Sequence, residues 1–91
     1  MASNFKIKAQ PAKNKAISLK ITGDFDGSSA LELVNTLGTY AKASNRILLD
    51  TAGLNEVWGF GRAVFEDACS DIQEIRSGAT ELVLTGEKLA I

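Results

Sequence analysis

A wholly apolar triplet, Ile47-Leu48-Leu49, stands between two stretches whose apolar residues recur at helical spacing, and this pattern limits the architectures open to the chain. A short apolar run bounded by polar residues reads as a buried strand. Upstream, Ala30, Leu33, Val34, Leu37 and Ala41 give one apolar helix face. Downstream, Phe60, Val64, Ala68, Ile72 and Ile75 mark a second helix, with Glu66, Asp67, Asp71 and Glu74 on its other side. A strand flanked by helices belongs to a sheet whose neighbouring strands run parallel to it.

The rest of the chain supplies those neighbours. Phe5, Ile7 and Ala9 alternate with Lys6 and Lys8, the period-two pattern of a half-buried strand. The alternation returns over residues 16–22, where Ile17, Leu19 and Ile21 face one way and Ser18, Lys20 and Thr22 the other. A short polar link holding the single proline joins the two runs, which predicts an antiparallel hairpin. Gly23 breaks the second run, and Asp26 or Ser28 is placed to cap the first helix. Gly38 weakens that helix, and Ser44-Asn45 ends it. Ser77-Gly78 stops the second helix, with Gly78 in the left-handed cap. Residues 81–85, centred on Leu82-Val83-Leu84, form the last strand. The order is β-β-α-β-α-β. Two right-handed crossovers place the last three strands in parallel, with the first antiparallel to its neighbour. The expected fold class is α/β, a small, mixed, mostly parallel four-stranded sheet with two covering helices. Residues 1–91 are expected to form a single domain.

Composition narrows the function. Ninety-one residues, 45% of them hydrophobic, suffice for one core. Apolar runs stay too short to span a membrane, and residues 1–8 lack the apolar stretch of about seven residues that a signal peptide needs. The lone Cys69 makes no internal disulfide, which fits a cytoplasmic protein. The chain has no histidine, so serine–histidine and cysteine–histidine nucleophile systems are excluded. No enzyme, cofactor or metal is expected. Charge is uneven: residues 1–23 carry Lys6, Lys8, Lys13, Lys15 and Lys20 and no acid, and the remainder holds five basic and eleven acidic side chains. These lysines are read as the solvent face of an edge hairpin that discourages edge-to-edge pairing. No arginine or aromatic side chain interleaves with them, so no nucleic-acid partner is expected.

Three stretches in this order carry a resemblance. They are an amino-terminal hairpin; Thr22-Gly23-Asp24-Phe25-Asp26 leading into Ala30-Leu31-Glu32-Leu33; and Leu49-Asp50, a loop, then Gly59-Phe60-Gly61 at a helix start. Together they resemble the STAS domain, the fold of bacterial anti-sigma factor antagonists and of the carboxy-terminal domains of sulfate transporters. The second stretch is similar to the family's Gly-Glu-Leu-Asp, the third to its Asp-Ser-Ser-Gly-Leu-Gly. The resemblance implies a regulatory module that binds a partner through the loop after the third strand.

The departures bear on mechanism. In phosphorylatable members, a serine two residues before the first glycine of Gly-x-Gly receives phosphate from a partner kinase. Here that position is Val57, preceded by Glu56 and followed by Trp58. Thr51 is the only hydroxyl in the loop, and residues 50–59 are about two residues shorter than the family's stretch. A phosphoserine switch at that site is not expected, and Glu56 would act as a fixed charge. The family also continues with a further helix beyond the last strand. Relative to it the chain is short at its carboxyl end, with Leu89 and Ile91 as the stub of that helix, and a sheet face or edge normally covered is left open or is covered by a second copy, as in a homodimer.

The candidate partner-binding residues are Asp26, Thr51, Asn55, Glu56, Val57, Trp58, Gly59, Phe60 and Arg62. Trp58 is either an exposed anchor or a lid folded over the end of the sheet. Gly59-Phe60-Gly61 is read as a tight turn, since Gly-x-Gly without a phosphate-loop lysine is a weak nucleotide signal. By the resemblance, Asp26 matches the family aspartate beside the phosphorylation loop, and it is also one of the two candidates to cap the helix. Asp24, Asp26 and Glu56 would gather three carboxylates, but without the spacing of a metal loop. Arg62 faces the partner or pairs with Glu66 one turn on. Cys69 is a buried, inert thiol. The resemblance implies one of two kinds of partner: a serine-kinase-type anti-sigma factor or another regulatory protein, sequestered competitively, or the ATPase of a lipid-transport assembly that the chain serves as a soluble subunit without inserting into the membrane.

Overall fold

Two consecutive left-handed residues, Asn14 (φ 60°) and Lys15 (φ 61°), make the first reversal of the chain. The Ala16 amide donates to the Lys13 carbonyl across them at 3.2 Å, so the turn carries the signature of type I′, whose twist matches that of paired strands. The computed structural model describes residues 4–89. The turn joins β1 (Lys6–Pro11) to β2 (Ala16–Phe25), followed by α1 (Gly27–Ala41), β3 (Arg46–Val57), α2 (Gly59–Cys69), the one-turn α3 (Gln73–Arg76) and β4 (Glu81–Thr85). The strand order is β1-β2-β3-β4, with β1 antiparallel to β2 and the other pairs parallel. The α/β class, the element order and the mixed, mostly parallel sheet are therefore as expected.

Because both crossovers step across the sheet in the same direction and are right-handed, α1 and α2 fall on one face. Their apolar sides meet the inward residues of the strands. Leu19 and Ile21 of β2, Ile47 and Leu49 of β3, and Leu33 and Leu37 of α1 are all fully buried in one cluster. Phe25 lies at its centre, edge-to-face with Phe5 and Phe65 at ring-centroid distances of 5.9 and 6.0 Å. Among the described residues, no helix is long and apolar enough to cross a membrane.

Four expectations are corrected. β3 does not end at Asp50; it runs to Val57, so residues 51–57 are strand and not loop. The β2–β3 register shifts twice, between Lys20 and Thr22 and between Gly23 and Phe25. Gly23 does not end β2. It adopts φ 94° within the strand, where the backbone of Asn4 and Phe5 passes too close for any Cβ. The second helix stops at Cys69 and resumes as α3, and its buried face is Gly61 and Phe65, leaving Phe60 outside. Leu89 is not a helix stub but a core residue; Ile91 lies outside the described residues.

Residues 86–89 form a strap over the end of the sheet. Gly86 (φ 87°) passes so close to the Ala52 amide that only a glycine fits. The buried Thr51 hydroxyl donates to the Thr85 carbonyl at 2.6 Å and accepts from the Lys88 amide at 3.0 Å. Leu89 then drops into the core. A Thr51→Val variant keeps the shape and strands both partners, so it is expected to cost about 1–3 kcal/mol in urea unfolding and to speed exchange of the Lys88 amide.

Candidate partner-binding site

The carboxyl ends of β2 and β3 deliver the starts of α1 and α2 to the same corner. Asp26 caps α1: its carboxylate accepts from the Ser29 amide at 2.9 Å, and the Ser29 hydroxyl lies 3.0 Å from the same oxygen and 2.8 Å from the Asp24 carbonyl. The Ser29 amide holds the Asp26 carboxyl below its usual range, against a smaller opposing effect of burial. Trp58 occupies the same position at the start of α2, with no side-chain cap. Its amide donates to the Phe25 carbonyl at 3.0 Å, which ties the end of β3 to the end of β2.

Gly61 brings the two helix starts into contact. A Cβ there would stand 2.8 Å from the carbonyl carbon and oxygen of Asp26 and from the Phe25 carbonyl oxygen. The Phe60 ring lies against Gly27, whose missing Cβ would come within 2.8 Å of it. Leu31 is one turn beyond Gly27 on α1 and so continues that surface. Among the described residues, the large hydrophobic side chains left exposed are Leu31 (56%), Trp58 (46%) and Phe60 (74%). Trp58 and Phe60 stand at the start of α2, and Leu31 is in the second turn of α1. Trp58 is thus exposed rather than folded over the sheet as a lid.

The other predicted site residues divide around this patch. Asn55, Glu56 and Gly59 are exposed beside it, and Val57 is half-buried at the end of β3, paired with Phe25. Thr51 is not part of the surface: it is buried, its hydroxyl committed to the strap. Arg62 is exposed, and its guanidinium donates to the Lys88 carbonyl at 3.2 Å. Asp24, Asp26 and Glu56 do not form a metal site; among the described residues no three His, Cys, Asp or Glu side chains are grouped to hold an ion. Cys69 is partly buried, and burial pushes its thiol pKa up, away from reactivity. Leu31 is not among the residues the sequence assigns to the site: its position off the apolar stripe of α1 signals an exposed side chain, but not a place beside the start of α2.

No family model and no curated protein sequence matches the chain. Solved structures do. An antisigma-factor antagonist STAS domain from Rhodobacter sphaeroides superposes with a TM-score of 0.72 at 14% identity, over 98% of this chain and 94% of that one. The anti-sigma factor antagonist SpoIIAA in its unphosphorylated form gives 0.63 at 12% identity, over 87% and 71%. Mglu gives 0.69 at 10% identity over 86% of this chain but only 19% of its own, so the likeness there is to one segment of a longer protein. Over 98% of its length, in the order β-β-α-β-α-β, this chain has the STAS-domain fold.

Proposed function

We propose that the chain is a non-catalytic, protein-binding regulatory module of the anti-sigma factor antagonist type, acting in the cytoplasm. It docks a partner through residues 55–62 and Asp26, with Leu31 added. The observation that carries this reading is the exposure of Trp58 and Phe60 at the start of α2 and of Leu31 near the start of α1, the two helix starts that meet at Gly61 and Gly27. Exposed aromatic anchors supply most of the binding energy at protein interfaces. The partner is a serine-kinase-type anti-sigma factor, held by sequestration without a phosphoserine switch. Val57 offers no hydroxyl at the family's position, and the Thr51 hydroxyl is buried. The docking is therefore constitutive. The absence of histidine supports a role without catalysis.

The test is affinity capture from source lysate with wild type and with Trp58→Ala/Phe60→Ala as baits, followed by titration of the purified partner. A kinase-type anti-sigma factor bound by wild type and weakened roughly 30-fold or more by the double variant is expected. Capture of an ATP-binding cassette ATPase, lost in the same variant, would replace this partner with a transport assembly. Equal binding by both baits would remove the corner from the function.

A further inference from the structure

The helices cover one face of the sheet, and the other face carries most of the chain's early lysines. Along β2, Leu19 and Ile21 point into the core, so Lys20 between them stands on the outer face and is exposed. Lys8 of β1 lies directly opposite Lys20, with Lys6 two residues away, and Lys13 and Lys15 sit exposed at the turn of the same hairpin. Guarding the sheet edge accounts for Lys6 and Lys8 on the edge strand. It does not account for Lys20, which is on an interior strand. Like charges placed directly opposite on a sheet are destabilising, and Asp50, the β3 neighbour of Lys20, offsets them in part. The acids Glu66, Asp67, Asp71 and Glu74 lie on the helical side, in α2, α3 and the link between them.

We propose that this outer sheet face is a docking surface for an anionic lipid bilayer. The net charge of −1 does not oppose it, because the molecule is 20 Å across its thinnest axis. The Debye length at physiological salt is only about 8 Å. A bilayer therefore meets the lysine face while the acidic helices are screened. Contact is electrostatic and peripheral: the face centre, Ser18, Leu48 and Val83, is only half-buried and holds no projecting aromatic to insert. A nucleic acid suits it less. Arg46, the arginine on this face, is engaged by Glu81 at 2.9 Å, and no aromatic side chain among the described residues stands there for bases to stack on. Docked this way, the corner bearing Leu31, Trp58 and Phe60 stays on the helical side, free to bind its protein partner while the chain is held at the membrane.

The test is sedimentation with vesicles of phosphatidylcholine containing about 30% phosphatidylglycerol, against pure phosphatidylcholine. Wild type is expected to bind the anionic vesicles only, and to release when ionic strength rises from about 0.1 to 1 M, where the Debye length falls to about 3 Å. Each lysine is expected to contribute about fivefold, so Lys8→Glu/Lys20→Glu weakens binding by at least about 25-fold. Lys42→Glu, on the helical side at the end of α1, leaves it unchanged. Lys8→Gln/Lys20→Gln gives the same comparison if charge reversal beside Asp50 disturbs the sheet. No binding to anionic vesicles, equal binding to neutral ones, or an undiminished double variant would overturn the proposal. So would displacement of the protein from vesicles by an equal charge of duplex DNA.

Discussion

A Phe25→Ala variant is expected to lose about 3–5 kcal/mol of folding stability in urea titrations. Phe25 is fully buried as the last residue of β2, and its ring meets Phe5 ahead of β1 and Phe65 of α2 edge-to-face. Truncation would thus open a cavity where three segments converge rather than at a site that one neighbour can fill. Aromatic pairs of this geometry add to the area term. A domain of this size has about 5–15 kcal/mol in total, so the variant is expected to be partly unfolded at 37 °C. The Phe25 carbonyl also receives the Trp58 amide, and loss of order there is expected to reach the corner where α1 and α2 begin. A loss below about 1 kcal/mol would show that the three rings do not pack as described.

The second large effect separates the two glycines of Gly59-Phe60-Gly61. Gly61→Val is expected to destabilise the fold by about 2–3 kcal/mol and to weaken partner binding, because its Cβ meets backbone atoms of Phe25 and Asp26 that no rotamer change can move. The start of α2 would have to shift away from α1, carrying Trp58 and Phe60 with it. Gly59→Ala makes the contrast. Nothing lies within 4 Å of its Cβ, and alanine reduces the freedom of the unfolded chain, so neutrality or a gain of about 0.4–1 kcal/mol is expected. Equal losses at the two positions would mean that the turn itself, and not the contact with Asp26, requires glycine.

The alternation of Ile17, Leu19 and Ile21 and the triplet at 47–49 made the sheet legible, since each strand's inward residues follow the plain period of two. The continuation of β3 was not legible. Its buried or half-buried Thr51, Leu54 and Val57 fall three apart, because the register shifts against β2 break the period. The helix after it misled for another reason. Phe60, Val64 and Ala68 share i, i+4 spacing with the true buried pair, Gly61 and Phe65, and a glycine gives no hydropathy signal for the closest packed position. The break after Cys69 then moved Ile72 and Ile75 off the same helix. At the site, Trp58 and Phe60 could be singled out as residues, but Leu31 could not join them without the crossing of α1 and α2.

In the proposed docking, the length of β3 would also set how fast a partner is recognised. A docking segment that was a free loop would have to be ordered on contact, which slows productive encounters and shifts part of the interaction free energy into folding. Here the backbone up to Val57 is already held in the sheet, and the next amide is bonded to Phe25. The corner is therefore expected to keep one shape before and after the proposed binding. Association should follow single-exponential kinetics at about 10⁵–10⁷ M⁻¹s⁻¹ without a slow rearrangement, and differences among corner variants should fall in the dissociation rate.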